Sequence, residues 1–197
     1  MYITHQMNII QTEIEGIVII EPRIFGDCRG YFFESFSERD FAAAVRPVRF
    51  VQDNESKSGY GVVRGLHYQT GRFCQSKLLR VVEGEVLDIA VDIRRGSPTF
   101  GRHVSVILSE DNKRQIFIPR GFAHGFSVLS AQAVLQYKCD RFYEPTAEGA
   151  IAWDDPDLGI DWGVPSDKVI LSAKDSAHPR LKDAAGLFEY SEDLYAD

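Results

Sequence analysis

The chain predicts an all-β fold, a sandwich or a barrel. Three observations carry this reading. Short runs rich in β-branched and aromatic residues recur at regular intervals, turn residues separate them, and only one segment has a convincing helical pattern.

Taken in order, "GIVIIEP" is a β-branched strand that stops at Pro22, and "GYFFESFS" is an aromatic run read as a strand. "SERDFAAAV" is the helix. Ser37 can cap it, and Asp40 stands at the capping-box position, where Glu or Gln is the stronger choice. "VVRGLHYQ" and "KLLRVV" are the next strands. In "VLDIAVDI", Leu87, Ile89, Val91 and Ile93 point one way, and Asp88, Ala90 and Asp92 the other. "HVSVILS", "RQIFIP", "FSVLS" and "AVLQYKC" complete the strand set, with "EGE", "RRGSPTFG", "SEDN" and "PRG" as turns. From about residue 173 the chain is more polar. There "LSAKDSAHPRL" reads as a lid or an appended turn on a single domain spanning 1–197.

Composition narrows the function classes. The 197 residues are 44% hydrophobic, enough for one good-sized core, and the 26% charged share argues against disorder. A net charge of −7 argues against non-specific nucleic-acid binding. No apolar run approaches membrane-spanning length, and "MYITHQMNII" lacks the basic start and apolar core of a secretory signal. Cys28, Cys74 and Cys139 are odd in number and form no CxxC pair, so reduced thiols in a cytoplasmic protein are expected.

The polar exceptions in apolar strands carry the chemistry. Arg64 and His67 sit in "VVRGLHYQ", Lys77 in "KLLRVV" and Tyr137 in "LQYKC". A lone histidine in a strand is more often a satisfied structural residue than a catalyst, but several exceptions together mark a lined cavity. Strict alternation would put Arg64 and His67 on opposite faces. A bulge at Gly65 would bring them together. In the tail, Lys174 and Asp175 form a solvated pair in the bland reading. In the functional one Asp175 orients His67 and fixes its tautomer. "FGDCRGYFFE" supplies Phe25, Arg29 and Glu34, and Arg29 with Arg64 could clamp phosphate oxygens, unless these are surface charges on a hairpin. Gln52, Asp53 and Asn54 suit hydrogen bonding to a polar ligand or a plain Asx turn.

"IPRGFAHGF", with Pro119, Gly121 and His124, resembles the second sequence segment of the cupin superfamily, a double-sheet jelly roll. Metal-binding cupins carry H-x-H plus Glu in the earlier segment. Here "LHYQ" has one histidine followed by Gln69, and His103 has the wrong spacing to substitute. The ligand set is incomplete and no metal is expected.

Taken together, "FGDCRGYFFES", "FVQDNESKS", "VVRGLHYQ", "KLLRVVEGEVLDIAVDIRRGSPTFG", "IPRGFAHGFSVLS", "YKCDRFYEP", "EGAIAWDDPDLGIDW" and "LSAKD" resemble one family over nearly the whole chain, the dTDP-4-dehydrorhamnose 3,5-epimerases of nucleotide-sugar biosynthesis. The resemblance implies a cupin-type jelly roll, a homodimer and no metal or other cofactor. It implies His67 as base, Asp175 as its carboxylate partner, Tyr137 as acid and Lys77 beside the substrate keto oxygen. It also implies that Arg29, Glu34, Gln52, Asn54, Arg64, His124, Tyr143, Glu148 and Lys174 hold the dTDP-sugar. A related single-site 3- or 5-epimerase and a non-catalytic sugar-binding cupin are the other readings, the latter disfavoured by an acid and a base present together.

Overall fold

The computed structural model describes residues 7–196, so most of the N-terminal segment read for a signal lies outside the described residues. Its strands are β1 (Asn8–Gln11), β2 (Val18–Glu21), β3 (Phe25–Asp27), β4 (Gly30–Phe32), β5 (Gln52–Gly59), β6 (Val63–Gln69), β7 (Lys77–Glu83), β8 (Glu85–Asp92), β9 (Arg94–Arg95), β10 (His103–Ser109), β11 (Gln115–Ile118), β12 (Phe122–Val128), β13 (Gln132–Cys139), β14 (Glu148–Ala150) and β15 (Phe188–Glu189). The α-helix α1 spans Glu38–Ala44.

Two antiparallel sheets form the sandwich. One runs β1-β2-β11-β7-β13-β5, the other β10-β8-β12-β6-β14. The main core lies between them: Leu79 and Val81 of β7, Ile116 of β11 and Leu135 of β13 meet Val86 and Ala90 of β8 and Phe126 of β12. Each fully buried aliphatic side chain contributes about 1.5–3 kcal/mol by leaving water.

The alternation in "VLDIAVDI" describes β8 correctly, and both its faces are buried. Val86 and Ala90 face the other sheet, while Leu87, Ile89, Val91 and Ile93 join a second apolar cluster on the outer side. The C-terminal segment covers that outer side. It is polar in sequence, yet it buries Leu181, Ala184 and Phe188 against the sheet.

Ser37 caps α1, its hydroxyl accepting from the Asp40 amide. Asp40 itself pairs with Arg39. Phe41 anchors the helix on the outer face of the six-stranded sheet, among Phe36, Phe50 and Phe117. The "GYFFESFS" run departs from expectation. Only Gly30–Phe32 is strand, and it pairs with β3 alone in a small hairpin. No neighbouring strand extends it, so Tyr31 and Phe32 stand exposed at 60% and 64%.

Candidate active site

Strand β6 changes phase in its middle. Val63, Leu66 and Tyr68 all pack into the outer apolar cluster, so the side-chain alternation skips a residue between Val63 and Leu66. The ladder shows the same irregularity. His67 faces His124, but Arg64 faces Phe126, three residues on β6 opposite two on β12. Gly65 sits at the break with φ of +129°, and a Cβ there would lie 2.5 Å from the Gly125 Cα. Only glycine fits so close an approach in this backbone region. The expected bulge is present, and it leaves Arg64 and His67 on the inner side together.

The inner face of the opposing sheet supplies the rest. Lys77 starts β7 on the side that carries Leu79 and Val81, and Tyr137 continues the Ala133–Leu135 row of β13. Their registers bring them close: Lys77 pairs with Cys139 and Tyr137 with Asn54. The Lys77 ammonium lies 6.0 Å from the centre of the Tyr137 ring. A cavity of about 350 Å³ opens here, lined by Asn54, His67, Lys77, Tyr137, Tyr143 and Glu148, with Gln52, Gln69, Gln75 and Cys139.

Asp175 stands behind the histidine. It begins a short turn of 3₁₀ helix at Asp175–Ala177, and its Oδ1 accepts from His67 Nε2 at 2.7 Å. The other oxygen accepts from the Ser172 hydroxyl, which in turn accepts from the Asp175 amide. This leaves His67 Nδ1 as the free basic nitrogen on a ring that lines the cavity. Asp175 therefore pairs with His67 and not with Lys174. Lys174 bonds the Glu148 carboxylate, to which Tyr143 also donates at 2.9 Å. The "LSAKD" segment is thus packed against the site.

Electrostatics divide these groups into different protonation states. Burial lowers the pKa of His67, and Lys77 and His178 lower it further. The Asp175 charge and hydrogen bond oppose them without cancelling the fall. Burial raises Asp175, but the Ser172 bond, His67 and the Gly65 amide outweigh it, and the carboxyl stays low. Burial pushes Lys77 down while Cys139, Asp88 and Glu148 push back. Burial raises Tyr137, so its phenol keeps its proton, although Arg64 acts the other way. Cys139 is pushed up to about 11, chiefly by burial, which leaves its thiol unreactive.

Other sequence candidates lie further off. Arg64 donates to the Ser58 hydroxyl at 3.1 Å. Gln52 and Asn54 lie on β5, not in an Asx turn. They bond each other at 3.0 Å, and Gln52 also accepts from the Tyr143 amide. Asp53 points to the opposite face of β5 and pairs with Lys138 outside the cavity. Strand alternation makes that unavoidable once Asn54 faces inward. Glu34 lies beside Phe36 near α1. Phe25 and Arg29 belong to the β3–β4 hairpin, where Arg29 is 85% exposed and paired with Asp27. It does not join Arg64 within one chain. His103 lies on β10, away from the histidine cluster.

His124 is in mid-strand on β12. Its Nε2 bonds buried Asp88 at 2.9 Å. Sequence patterning does not single out Asp88, because the apolar row Leu87, Ile89, Val91 and Ile93 makes its side of the strand look like the solvent face. The second oxygen of Asp88 has no hydrogen-bond partner among the described residues, and its charge opposes the fall that burial imposes on the Lys77 pKa.

A histidine with a carboxylate behind it, a phenol and a lysine share one cavity. Such a set suits proton transfer at carbon next to a carbonyl. Comparison with known proteins specifies it. A family model described as dTDP-4-dehydrorhamnose 3,5-epimerase matches residues 11–183.

The chain belongs to that family.

The dTDP-4-dehydrorhamnose 3,5-epimerase of Shigella flexneri is 53% identical over 179 residues, covering 90% of this chain and 98% of its own. The structure of a dTDP-6-deoxy-D-glucose-3,5-epimerase from Legionella pneumophila, in complex with dTDP-4-keto-L-rhamnose, superposes with a TM-score of 0.91 at 53% identity. That match covers 95% of this chain and all of the other. A double mutant of a 3′-monoepimerase from Streptomyces bikiniensis, in complex with dTDP, is also similar, at 34% identity, a TM-score of 0.85, and coverage of 91% and 92%. These relatives share both the sandwich and its length with this chain. Among the described residues, no helix is long and apolar enough to cross a membrane.

Proposed function

We propose that this chain converts dTDP-4-dehydro-6-deoxy-D-glucose to dTDP-4-dehydro-L-rhamnose, in dTDP-L-rhamnose biosynthesis, by inverting C3 and C5. The observation that carries the reading is the convergence of His67, Lys77 and Tyr137 on one cavity, with Asp175 bonded to the far nitrogen of His67.

The C4 ketone acidifies the protons on both neighbouring carbons. His67 Nδ1 takes one of them, and the electron pair moves onto O4 as an enolate. Asp175 stabilises the imidazolium through Nε2–H. Lys77, when charged, stabilises the oxyanion as a fixed cation. Tyr137, kept protonated by burial, returns a proton to the opposite face of the carbon. The configuration of that carbon is inverted, and no electron is gained or lost overall. His67 then releases its proton to solvent and Tyr137 regains one from it, and the same cycle at the other carbon completes the reaction without a cofactor.

Around the chemistry, Gln52, Asn54, Arg64, His124, Tyr143, Glu148 and Lys174 are read as holding the nucleotide-sugar, His124 from its bond to Asp88. Arg29, Phe25 and Glu34 are read as serving the site of a second copy in a cytoplasmic homodimer. The exposed hairpin supports this: Arg29, Tyr31 and Phe32 project from it with little of their own chain to cover them. The residues from 1 to 197 are read as a single domain.

A second reading is inversion at one carbon only, since a 3′-monoepimerase shares the fold. Product stereochemistry separates the two. Incubation with dTDP-4-dehydro-6-deoxy-D-glucose, reduction of the keto product and identification of the sugar should yield the L-rhamno configuration. A product inverted at one carbon alone would replace the first reading with the second.

A further inference from the structure

Asp175 Oδ1 serves two histidines. His67 Nε2 approaches it at 2.7 Å and His178 Nε2 at 3.3 Å, and the two rings stand nearly perpendicular, 86° apart, with centres separated by 5.4 Å. The three donor atoms all lie within 4.8 Å of one another. The side chains of Asp175 and His178 are only 7% and 8% exposed, and that of His67 is 32% exposed. His178 has no place in the proton transfers described above.

We propose that His67, Asp175 and His178 form a binding site for a divalent transition metal of the zinc type, and that the ion inhibits by capturing the base; the inhibitory half of this rests on the epimerase reading. Two imidazole nitrogens and a carboxylate oxygen converging on one point are a donor set that zinc favours, and a water can complete four-coordination. In a tetrahedral site with bonds of about 2.0–2.1 Å, donor atoms stand roughly 3.3 Å apart. The His178–Asp175 separation already has that value, the His67–Asp175 pair has to open by a fraction of an ångström, and the two histidine nitrogens, within 4.8 Å of each other, have to draw together by rotation of the His178 ring.

Asp175 supplies the negative charge for a cation, and Lys174, the nearest lysine in sequence, is bound to Glu148. Lys77 lines the same cavity as His67 and its charge reaches that ring, whereas His178 does not line that cavity. An entry path exists on the His178 side, where a second hollow is lined by Tyr68, Glu148, Lys174, His178 and Pro179.

The consequence for His67 follows from tautomerism. A metal on Nε2 sends the ring proton to Nδ1, the nitrogen left for the sugar. The lone pair that accepts the substrate proton is then gone. No bond to substrate and no electron transfer is involved, so removal of the ion restores the base.

The test uses zinc chloride and the full chain carrying Cys28→Ser, which removes the exposed thiol as a rival ligand. Calorimetry should give about one zinc per chain, and His178→Ala should weaken binding by at least the roughly 10–100-fold that loss of a supporting partner costs at metal sites. Zinc should slow substrate deuterium exchange by the parent, and His178→Ala should relieve that inhibition by a similar factor. Anomalous diffraction at the zinc edge should place the ion between the three side chains, a reading that survives even if a variant misfolds. Zinc bound elsewhere, or with affinity unchanged by His178→Ala, would overturn the site. Binding at these residues in a chain that does not epimerise would keep the site and discard the proposed function instead.

Discussion

Val63 and Leu66 stand three positions apart on one strand, yet both pack into the same apolar cluster. In a regular strand they would face opposite ways. The extra residue between them turns Arg64 and His67 toward the same interior.

Gly65 is the residue that permits this. An alanine there would carry an unfavourable positive φ and press its Cβ against the Gly125 backbone. Gly65→Ala is expected to cost about 1–3 kcal/mol from backbone strain alone, with more from the contact. Thermal unfolding should show a clear drop in Tm, and the surviving folded protein should be slower because His67 is misaligned. An unchanged Tm would mean that the bulge relaxes freely.

The pH dependence follows from His67. Its folded pKa is lowered from 6.5, and the proposed base works in the neutral form. The rate should therefore be full at neutral pH and fall as pH drops through a value below 6.5. On the alkaline side it should fall below 10.5 as Lys77, lowered by burial, loses its charge. Asp175→Asn removes the influence that supports the protonated imidazole, so the acid limb of kcat/KM should move to still lower pH and the rate should drop. An acid limb well above 6.5 would assign it to another group.

Tyr137→Phe keeps the ring under Lys77 but removes the phenolic proton. Washout of substrate protons by His67 should persist while inversion falls by about 10²–10⁴-fold, the range for a general acid. An unchanged yield of doubly inverted product would exclude Tyr137 as the donor.

The hairpin is tested by mixing subunits. Arg29→Ala and His67→Ala chains, each impaired alone, should recover activity on mixing if Arg29 serves the partner's site. Light scattering should give a dimer at micromolar concentration. A dimer without recovery would keep the assembly and reject the shared site.

Much of this architecture can be read directly from residue patterns. The alternation in "VLDIAVDI" gives β8, and the glycine in "VVRGLHYQ" signals the bulge. Ser37 gives the start of α1. Patterns fail where a segment's state depends on its neighbours. "GYFFESFS" has strand composition, but no sheet edge is there to receive it, and three of its residues form an isolated hairpin strand. Contacts between distant parts of the chain are equally silent. Asp88 meets His124 across adjacent strands, and the separation of 36 residues gives no local cue. His178 follows Asp175 by three residues and bonds it through a turn of 3₁₀ helix, a spacing that a reading focused on strands overlooks.

The central claim is that His67 is the one base for both carbons. Proton NMR in D₂O, with dTDP-4-dehydro-6-deoxy-D-glucose as substrate, follows it at each position separately. The wild-type chain should place deuterium at C3 and C5, and His67→Ala, still folded by circular dichroism, should do so at neither above the uncatalysed rate. Exchange by His67→Ala near the wild-type rate at either carbon would contradict the account.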